Sequence, residues 1–218
     1  MSDQDLRSES DQDLDREAAK RRLWLASRMG GFKALDHYRA DNYQPGRAGT
    51  TIARAYNACA TFDARRDNIY LHGPAGAGKT HLATIAAHRH LHAPGFGAAR
   101  VLVLNPIELA RQMRACDGAA AEGATIRALA ETPLLVLDDL GVGKDTDYST
   151  SLVYELANLR DQARPGGLIV TSNLSPDDLA RKLGDDRLTS RLVGLCGIKN
   201  IYDLSGEQDH RIFGEEKI

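Results

Sequence analysis

The eight residues GPAGAGKT, Gly73 to Thr80, decide the fold of this 218-residue chain. They match the pattern GxxxxGK[ST] and stand between a predicted strand, Asn68–His72, and a predicted helix, Lys79–His92. In this setting glycines let backbone N–H groups close around phosphates, and the helix points its positive end at them. We expect Lys79 to neutralise the β- and γ-phosphates of ATP and the Thr80 hydroxyl to bind Mg²⁺. The predicted nucleotide-binding residues are Gly73, Pro74, Ala75, Gly76, Ala77, Gly78, Lys79, Thr80 and His81.

Two adjacent aspartates end another apolar run, LLVLDD at residues 134–139. Four apolar residues followed by acids indicate a buried strand that carries carboxylates at its C-terminal end. We expect Thr80 and Asp138 to hold the metal, and Asp139 to polarise the attacking water. A turn at residues 138–141 is the alternative explanation for the two aspartates.

Polar residues at later positions complete the candidate catalytic set. Asn173 follows a predicted strand, where its amide would reach a γ-phosphate or the lytic water, or would simply form a turn. Arg187 and Arg191 lie four residues apart on one predicted helix face. One of them could reach a neighbouring subunit's nucleotide as an arginine finger, and surface arginines paired with acids are the alternative. The candidate catalytic residues are Lys79, Asp139, Asn173, Arg191 and Arg187.

Strands and helices alternate over most of the chain. Four of the predicted strands are apolar runs, as expected for parallel strands covered on both faces. The alternation predicts an α/β fold with a parallel sheet and with ligands at the carboxyl ends of its strands. The predicted strands are Asn68–His72, Arg100–Leu104, Leu134–Asp138, Leu168–Ser172 and Ile198–Asp203. The predicted helices are Thr50–Phe62, Lys79–His92, Pro106–Arg114, Glu122–Glu131, Ser149–Ala163, Pro176–Leu183 and Arg187–Leu192.

The N-terminal part of the chain differs in composition from the rest. Residues 1–17 contain seven acidic and two basic residues, whereas the remainder is slightly basic. We expect residues 1–14 to be a disordered acidic tail and residues 15–45 to hold a basic helix and a linker. The basic helix would dock a partner or pack on its own domain. Residues 46–218 would form the ATPase domain.

Composition argues against several classes of protein. No run approaches the roughly 20 apolar residues that span a bilayer, and the acidic N-terminus is no secretory signal, so we expect a cytoplasmic location without membrane contact. Three widely separated cysteines disfavour a disulfide framework and a zinc ribbon. The histidines of the segment 81–92 lack a carboxylate or thiolate that would complete a metal site.

Together these motifs resemble those of an AAA+ ATPase of the DnaC/IstB type, over approximately residues 32–211. The resemblance rests on GPAGAGKTHLA (Gly73–Ala83), LLVLDDLG (Leu134–Gly141), IVTSNL (Ile169–Leu174), DRLTSRL (Asp186–Leu192) and LSGEQDHR (Leu204–Arg211). It implies a three-layer P-loop fold with a five-stranded parallel sheet ordered 5-1-4-3-2 and no C-terminal helical lid. It also implies a sensor role for Asn173 and a finger role for Arg191, with Arg187 a second candidate. Arg211 would be an additional arginine that contacts nucleotide or a subunit.

The resemblance further implies an ATPase that forms homo-oligomers in its ATP-bound state, with each site completed by the next subunit, and that acts on DNA, expected to be single-stranded. Such proteins load a replicative helicase onto DNA or help a transposase to select its target. We rank helicase loading first, with Arg21–Met29 as the helicase contact, and the transposition helper second. The short N-terminal region weighs against a loader.

A protein of another class remains an alternative: a non-catalytic, nucleotide-gated DNA-binding or scaffold protein. It is suggested by Asp139, which stands where many AAA+ proteins have Glu, although similar family members carry the same pair of aspartates. Basic residues in segments that would face a central channel are candidates for DNA contact, and solvated surface charge is their alternative role. They are Arg111, Arg114, Arg127 and Lys144.

Overall fold

The computed structural model describes residues 38, 40–45, 47–92, 101–143, 146–163 and 166–206. Several expectations fall outside these residues and stay predictions. They concern the acidic tail, the basic helix with Arg21–Met29, Lys144, Arg211 and the absence of a helical lid after residue 206. None of the described helices is long and apolar enough to cross a membrane.

A five-stranded parallel sheet forms the centre of the described part of the chain. Its strands are β1 (Asn68–His72), β2 (Val101–Leu104), β3 (Leu134–Leu140), β4 (Gly167–Ser172) and β5 (Ile201–Asp203). Their spatial order is β2-β3-β4-β1-β5, which confirms the predicted order 5-1-4-3-2. The carboxyl ends of β1, β4 and β3 therefore lie side by side, at the edge where a parallel sheet binds its ligands.

Seven α-helices connect and cover the strands in the described residues. They are α1 (Thr51–Ala60), α2 (Lys79–Leu91), α3 (Pro106–Arg114), α4 (Ala119–Ala130), α5 (Asp147–Ala163), α6 (Pro176–Leu183) and α7 (Arg187–Cys196). Local signals start two of them. The side chains of Asn105 and Ser175 accept the backbone N–H groups of Glu108 and Asp178, and a proline follows each cap.

The structure corrects the last predicted strand, Ile198–Asp203. Only Ile201–Asp203 pairs with β1, and Ile198–Asn200 forms a 3₁₀ turn. Gly197, at φ 75°, ends α7 and redirects the chain, so that Ile198 lies on the surface at 81% exposure. The apolar side chain of Ile198 therefore does not mark a buried strand.

The core consists of two apolar layers, one on each face of the sheet. Along β1, Ile69 and Leu71 enter the layer covered by α1 and α2, whereas Tyr70 enters the layer covered by the other helices. Strand side chains alternate between faces, so each buried strand contributes to both layers. These layers confirm the predicted three-layer α/β sandwich.

Candidate nucleotide-binding site

The loop between β1 and α2 adopts a conformation that requires glycine. Gly73, Gly76 and Gly78 have φ values of 145°, 79° and 84°, in the region that side chains rarely adopt. A Cβ on Gly73 would also lie 2.9 Å from the backbone carbonyl carbon of Leu204, closer than real Cβ contacts. The glycine spacing of the motif therefore has a direct geometric reason.

This loop borders a cavity of about 410 Å³ at the carboxyl end of the sheet. Among the predicted binding residues, the cavity is lined by Ala75, Gly76, Gly78, Lys79, Thr80 and His81. Gly73, Pro74 and Ala77 belong to the same loop but do not line the cavity. Asp139 and Asn173, from two other strand ends, complete the wall opposite the loop. The fold thus brings three separate sequence motifs to one cavity.

Lys79 places a positive charge inside the loop. Its side chain is buried, and Nζ donates hydrogen bonds to the carbonyl oxygens of Gly73 at 2.8 Å and Pro74 at 2.7 Å. The helix N-terminus behind it adds the partial positive charge of its backbone N–H groups. Lysine and helix end together make this side of the cavity suited to an anion such as a phosphate chain.

Asp138 is held by two threonine hydroxyls. Thr171 Oγ1 donates to Oδ1 of Asp138 at 2.6 Å, and Thr80 Oγ1 donates to the same atom at 3.1 Å. Burial raises the pKa of Asp138, the nearby charge of Asp139 raises it further, and the two hydroxyls and Lys79 oppose the rise. A hydroxyl and a carboxylate at this separation are hard oxygen donors, which fit Mg²⁺.

A bulge turns Asp139 into the cavity. In the ladder between β3 and β4, Leu137 pairs with Val170 and Leu140 pairs with Ser172, so β3 carries one extra residue. Asp139 has φ 56°, and among the described residues it is the one non-glycine with positive φ. Its N–H donates to Thr171 Oγ1 at 3.0 Å, which holds the bulge closed. Strained backbone of this kind is often found at functional sites.

The position of Asn173 depends on residues that the sequence analysis did not single out. Ser172 Oγ donates to the Leu140 carbonyl at 2.6 Å and accepts the N–H of Leu174 at 3.0 Å. The Tyr70 hydroxyl donates to the Leu174 carbonyl at 3.2 Å. Tyr70 and Ser172 therefore fix the loop that carries Asn173, and only the polar triplet at 171–173 hinted at this role.

An aromatic wall flanks the phosphate loop on one side. The rings of Tyr38 and Tyr43 lie 5.0 and 4.8 Å from the His81 imidazole, and Tyr43 also stacks on Tyr56 at 5.5 Å. A Cβ on Gly78 would lie 3.1 Å from the Tyr43 ring. The sequence carries no signal for this wall, because its tyrosines precede Gly73 by 17 to 35 residues and belong to no motif.

The two arginines of α7 lie outside this cavity. Arg187 and Arg191 line a different cavity of about 450 Å³ that shares no residue with the first. Arg187 pairs with Asp185, which keeps the pKa of that carboxyl below its usual range, and Arg191 pairs with Asp161. The structure therefore does not bring either arginine to the phosphate loop of its own chain.

A family model described as "IstB-like ATP binding protein" matches residues 9–202. The chain belongs to this family. The match covers both the phosphate loop and the arginine helix, and it extends into residues that precede the described part. ATP binding by the family accords with the phosphate loop, the buried lysine and the paired aspartates at one cavity.

Curated relatives include proteins of insertion sequences and of replication. The chain is 29% identical to an ATP-binding protein of insertion sequence IS5376 from Geobacillus stearothermophilus, over 67% of this chain and 57% of that protein. It is 32% identical to an ATP-binding protein of IS1162 from Pseudomonas fluorescens, over 50% and 45%. It is 22% identical to the replicative helicase loader DnaC of Escherichia coli, over 79% and 70%. The chain thus spans about half the length of the insertion-sequence relatives.

Solved structures support the fold. A crystal structure of the DnaC helicase loader superposes with a TM-score of 0.61 at 19% identity, over 78% of this chain and 98% of that one. AMPPCP-bound DnaA from Aquifex aeolicus superposes with a TM-score of 0.61 at 21% identity, over 82% and 54%. These likenesses confirm the predicted AAA+ type of P-loop fold.

Replacing Asp138 with asparagine is expected to have different effects on the free energy of unfolding and on Mg²⁺-dependent ATP binding. Burial raises the folded-state pKa of Asp138 above its unfolded value. The carboxyl therefore favours the folded state most at low pH, and this contribution is lost as pH rises through the folded pKa. An asparagine removes the buried charge and still accepts the Thr171 hydroxyl. We expect D138N to match or exceed the wild-type free energy of unfolding at pH 8 without Mg²⁺.

The same variant is expected to weaken Mg²⁺-dependent ATP binding about 10- to 100-fold, the usual range for disturbed metal shells. Urea unfolding at pH 6 and 8, and ATP titrations at several Mg²⁺ concentrations, measure the two effects. D117N, at an exposed aspartate, is the matched control. A D138N protein that is less stable at both pH values, with unchanged Mg²⁺ dependence, would assign Asp138 a purely structural role.

Proposed function

We propose that the protein is a cytoplasmic ATPase that forms homo-oligomers in its ATP-bound state and acts on DNA together with a transposase. One observation carries the ATPase part: Lys79, Thr80, Asp139 and Asn173 line one cavity, and the buried Asp138 accepts a hydrogen bond from Thr80 beside it. Nucleotide binding alone requires the loop and its lysine. Two aspartates and an amide opposite the loop are what hydrolysis adds.

Each residue of the cavity has a distinct task in the proposed reaction. Lys79 neutralises the β- and γ-phosphates, and Thr80 with Asp138 holds Mg²⁺, which supplies further positive charge to the phosphate oxygens. Asp139 is exposed in the cavity, and its carboxylate orients and polarises the attacking water. The Asn173 amide donates to the γ-phosphate or to the water.

The position of the two arginines supports the proposed homo-oligomers. Transition-state charge in phosphoryl transfer is commonly stabilised by an arginine, with an effect of about 10³–10⁵ on turnover. Here Arg187 and Arg191 lie in a separate cavity, so they cannot serve the chain's own phosphate loop without a large rearrangement. A neighbouring subunit that presents α7 would complete the site.

The family match and the sequence identities to insertion-sequence proteins favour a transposase as the partner. The family model bears the IstB name, and the relatives near 30% identity are insertion-sequence proteins. Helicase loading, which motif patterns ranked first, is the second candidate, favoured by the match to DnaC over 79% of this chain. Capture of a replicative helicase, and not of a transposase, by the ATP-bound protein would reverse this order.

DNA contact is proposed for the exposed basic side chains of α3 and α4. Both ends of the Arg111 guanidinium bond to Glu108, at 2.9 and 2.8 Å, so this arginine is already neutralised. The Arg114 guanidinium lies over the Tyr148 ring, 5.1 Å from its centroid, and this cation–π contact does not pair it with a carboxylate. Arg127 is exposed on α4. Arg114 and Arg127 are therefore better placed for phosphates than Arg111.

We expect salt-sensitive DNA binding that is stronger with ATP than without it. Each phosphate contact contributes a slope of roughly −0.7 to −0.9 to log K against log salt concentration. Replacement of both Arg114 and Arg127 by glutamine should reduce the magnitude of this slope by roughly 1.4–1.8, whereas R111Q should change it little. Fluorescence anisotropy on single-stranded and duplex DNA provides the measurement. An absence of salt-sensitive binding in either nucleotide state would contradict the DNA proposal.

A further inference from the structure

Arg191 is held by an acid on a different helix. Its Nη1 donates to Oδ2 of Asp161 at 2.5 Å, which joins α7 to α5 across 30 residues of sequence. Both side chains are partly open to solvent, at 40% exposure for Arg191 and 35% for Asp161. Both residues line the cavity of about 450 Å³ that also contains Arg187.

The bond to Asp161 uses only one end of the Arg191 guanidinium. Among the described residues, its acceptor is a single carboxylate oxygen, so the donors of Nε and Nη2 have no side-chain or backbone acceptor there, and Arg191 lines the cavity. Arginine presents five N–H donors in a rigid fork, and one bond orients the plane without consuming the others. Arg191 is therefore both oriented and able to bind a further anion.

Arg187 provides a contrast on the same helix. Its Nε and Nη2 both bond to the carboxylate of Asp185, at distances from 2.6 to 3.1 Å, and its guanidinium lies over the Tyr154 ring at 5.8 Å. Asp185 lies two residues away, so this pair is local. The fork of Arg187 is already occupied, and Arg191 is the better of the two for a phosphate.

The backbone below Arg191 is fixed by packing. Leu188 and Leu192 on α7 are buried, and the Asn68 side-chain amide donates to the Leu195 carbonyl at 2.8 Å. The remaining conformational freedom is that of the long arginine side chain, which has many rotamers. A bond from Asp161 removes part of this freedom before any neighbour arrives, which is how preorganisation accelerates a reaction.

We propose that Asp161 is a positioning residue that orients Arg191 toward the nucleotide of a neighbouring subunit. The proposal rests on the shared sites of the proposed function and names the residue that makes them productive. Asp161 acts through Arg191 and does not itself contact nucleotide. A sequestering role, in which Asp161 withholds Arg191, would have the opposite effect on turnover.

Mixed subunits test the proposal. An acceptor subunit, R191A, binds ATP but supplies no finger, and a donor subunit, D139N, supplies Arg191 but does not hydrolyse ATP. Each protein alone should show background turnover, and their mixture should recover activity at shared sites. D161A is then placed in the donor or, as a control, in the acceptor, where Arg191 is absent.

With D161A in the donor, kcat of the mixture should fall about 10-fold or more while KM for ATP stays within about twofold, because misplacement of a catalytic group lowers the rate of the reacting complex. The same substitution in the acceptor should leave kcat within about twofold of the parent mixture. D161N in the donor should give an intermediate kcat, because the amide oxygen still accepts a hydrogen bond from Arg191.

The outcomes distinguish failure of the shared sites from failure of the positioning role of Asp161. A parent mixture without recovery would overturn the shared sites and the positioning role together. If the parent mixture recovers activity, three results would overturn the positioning role alone. They are equal losses of kcat from both placements of D161A, no loss from either placement, and a higher turnover with D161A in the donor. Equal circular dichroism spectra and unfolding midpoints for D161A and wild type exclude a folding defect.

Discussion

D139N is expected to reduce ATP turnover by about 10²- to 10⁴-fold, the range for loss of a catalytic base, while ATP binding persists. Asp139 is exposed in the cavity, and its backbone N–H, not its carboxylate, donates the hydrogen bond to Thr171. Asparagine has nearly the same shape and tolerates the positive φ of 56° at this position. The substitution therefore removes the carboxylate charge and leaves the bulge in place.

Phosphate release and equilibrium ATP binding, measured on the same samples, check this expectation. K79A is the companion variant: it should lose both binding and turnover, because it removes the cation inside the loop. D147N, at an exposed aspartate at the start of α5, is the control that should retain both. Background-level release that is identical in wild type, K79A and D139N would refute catalysis and support the non-catalytic alternative.

R160M is expected to lower the free energy of unfolding by about 3–5 kcal/mol, a large part of the 5–15 kcal/mol typical of a domain. Arg160 is 2% exposed, and its guanidinium donates to the carbonyls of Ala130, Thr132 and Gly167 at 2.6–2.8 Å. Burial lowers its pKa to about 10, so the side chain stays charged at neutral pH. Methionine fills similar volume but leaves three buried carbonyls without their donor.

Urea unfolding of R160M and of R181M provides the measurement. Arg181 has 77% exposure on α6 and bonds to Asp178, so its loss should cost less than about 1 kcal/mol. A loss below 1 kcal/mol for R160M would show that water or a rearranged chain satisfies the three carbonyls. D161A should leave the same measurement nearly unchanged, because the ion pair of Asp161 with Arg191 is partly exposed to solvent.

Much of the fold was predictable because its signals are local. The strands β1 and β4 and the helices α3 and α6 begin and end within about one residue of the predictions, since apolar runs, proline and capping residues mark them. The strand order came from the resemblance of the motifs. The last strand was predicted too long because an exposed isoleucine at 198 continues its apolar pattern.

The phosphate loop, the two aspartates after β3 and the asparagine after β4 could be located from local sequence, because glycine conformations and strand ends depend on neighbouring residues. Which side chains contact each other depends on the packing of distant segments. It introduced the bulge that turns Asp139 into the cavity, and it paired Arg191 with Asp161 from another helix. Such contacts join residues 30 or more positions apart, and no local pattern encodes the three-dimensional packing that creates them.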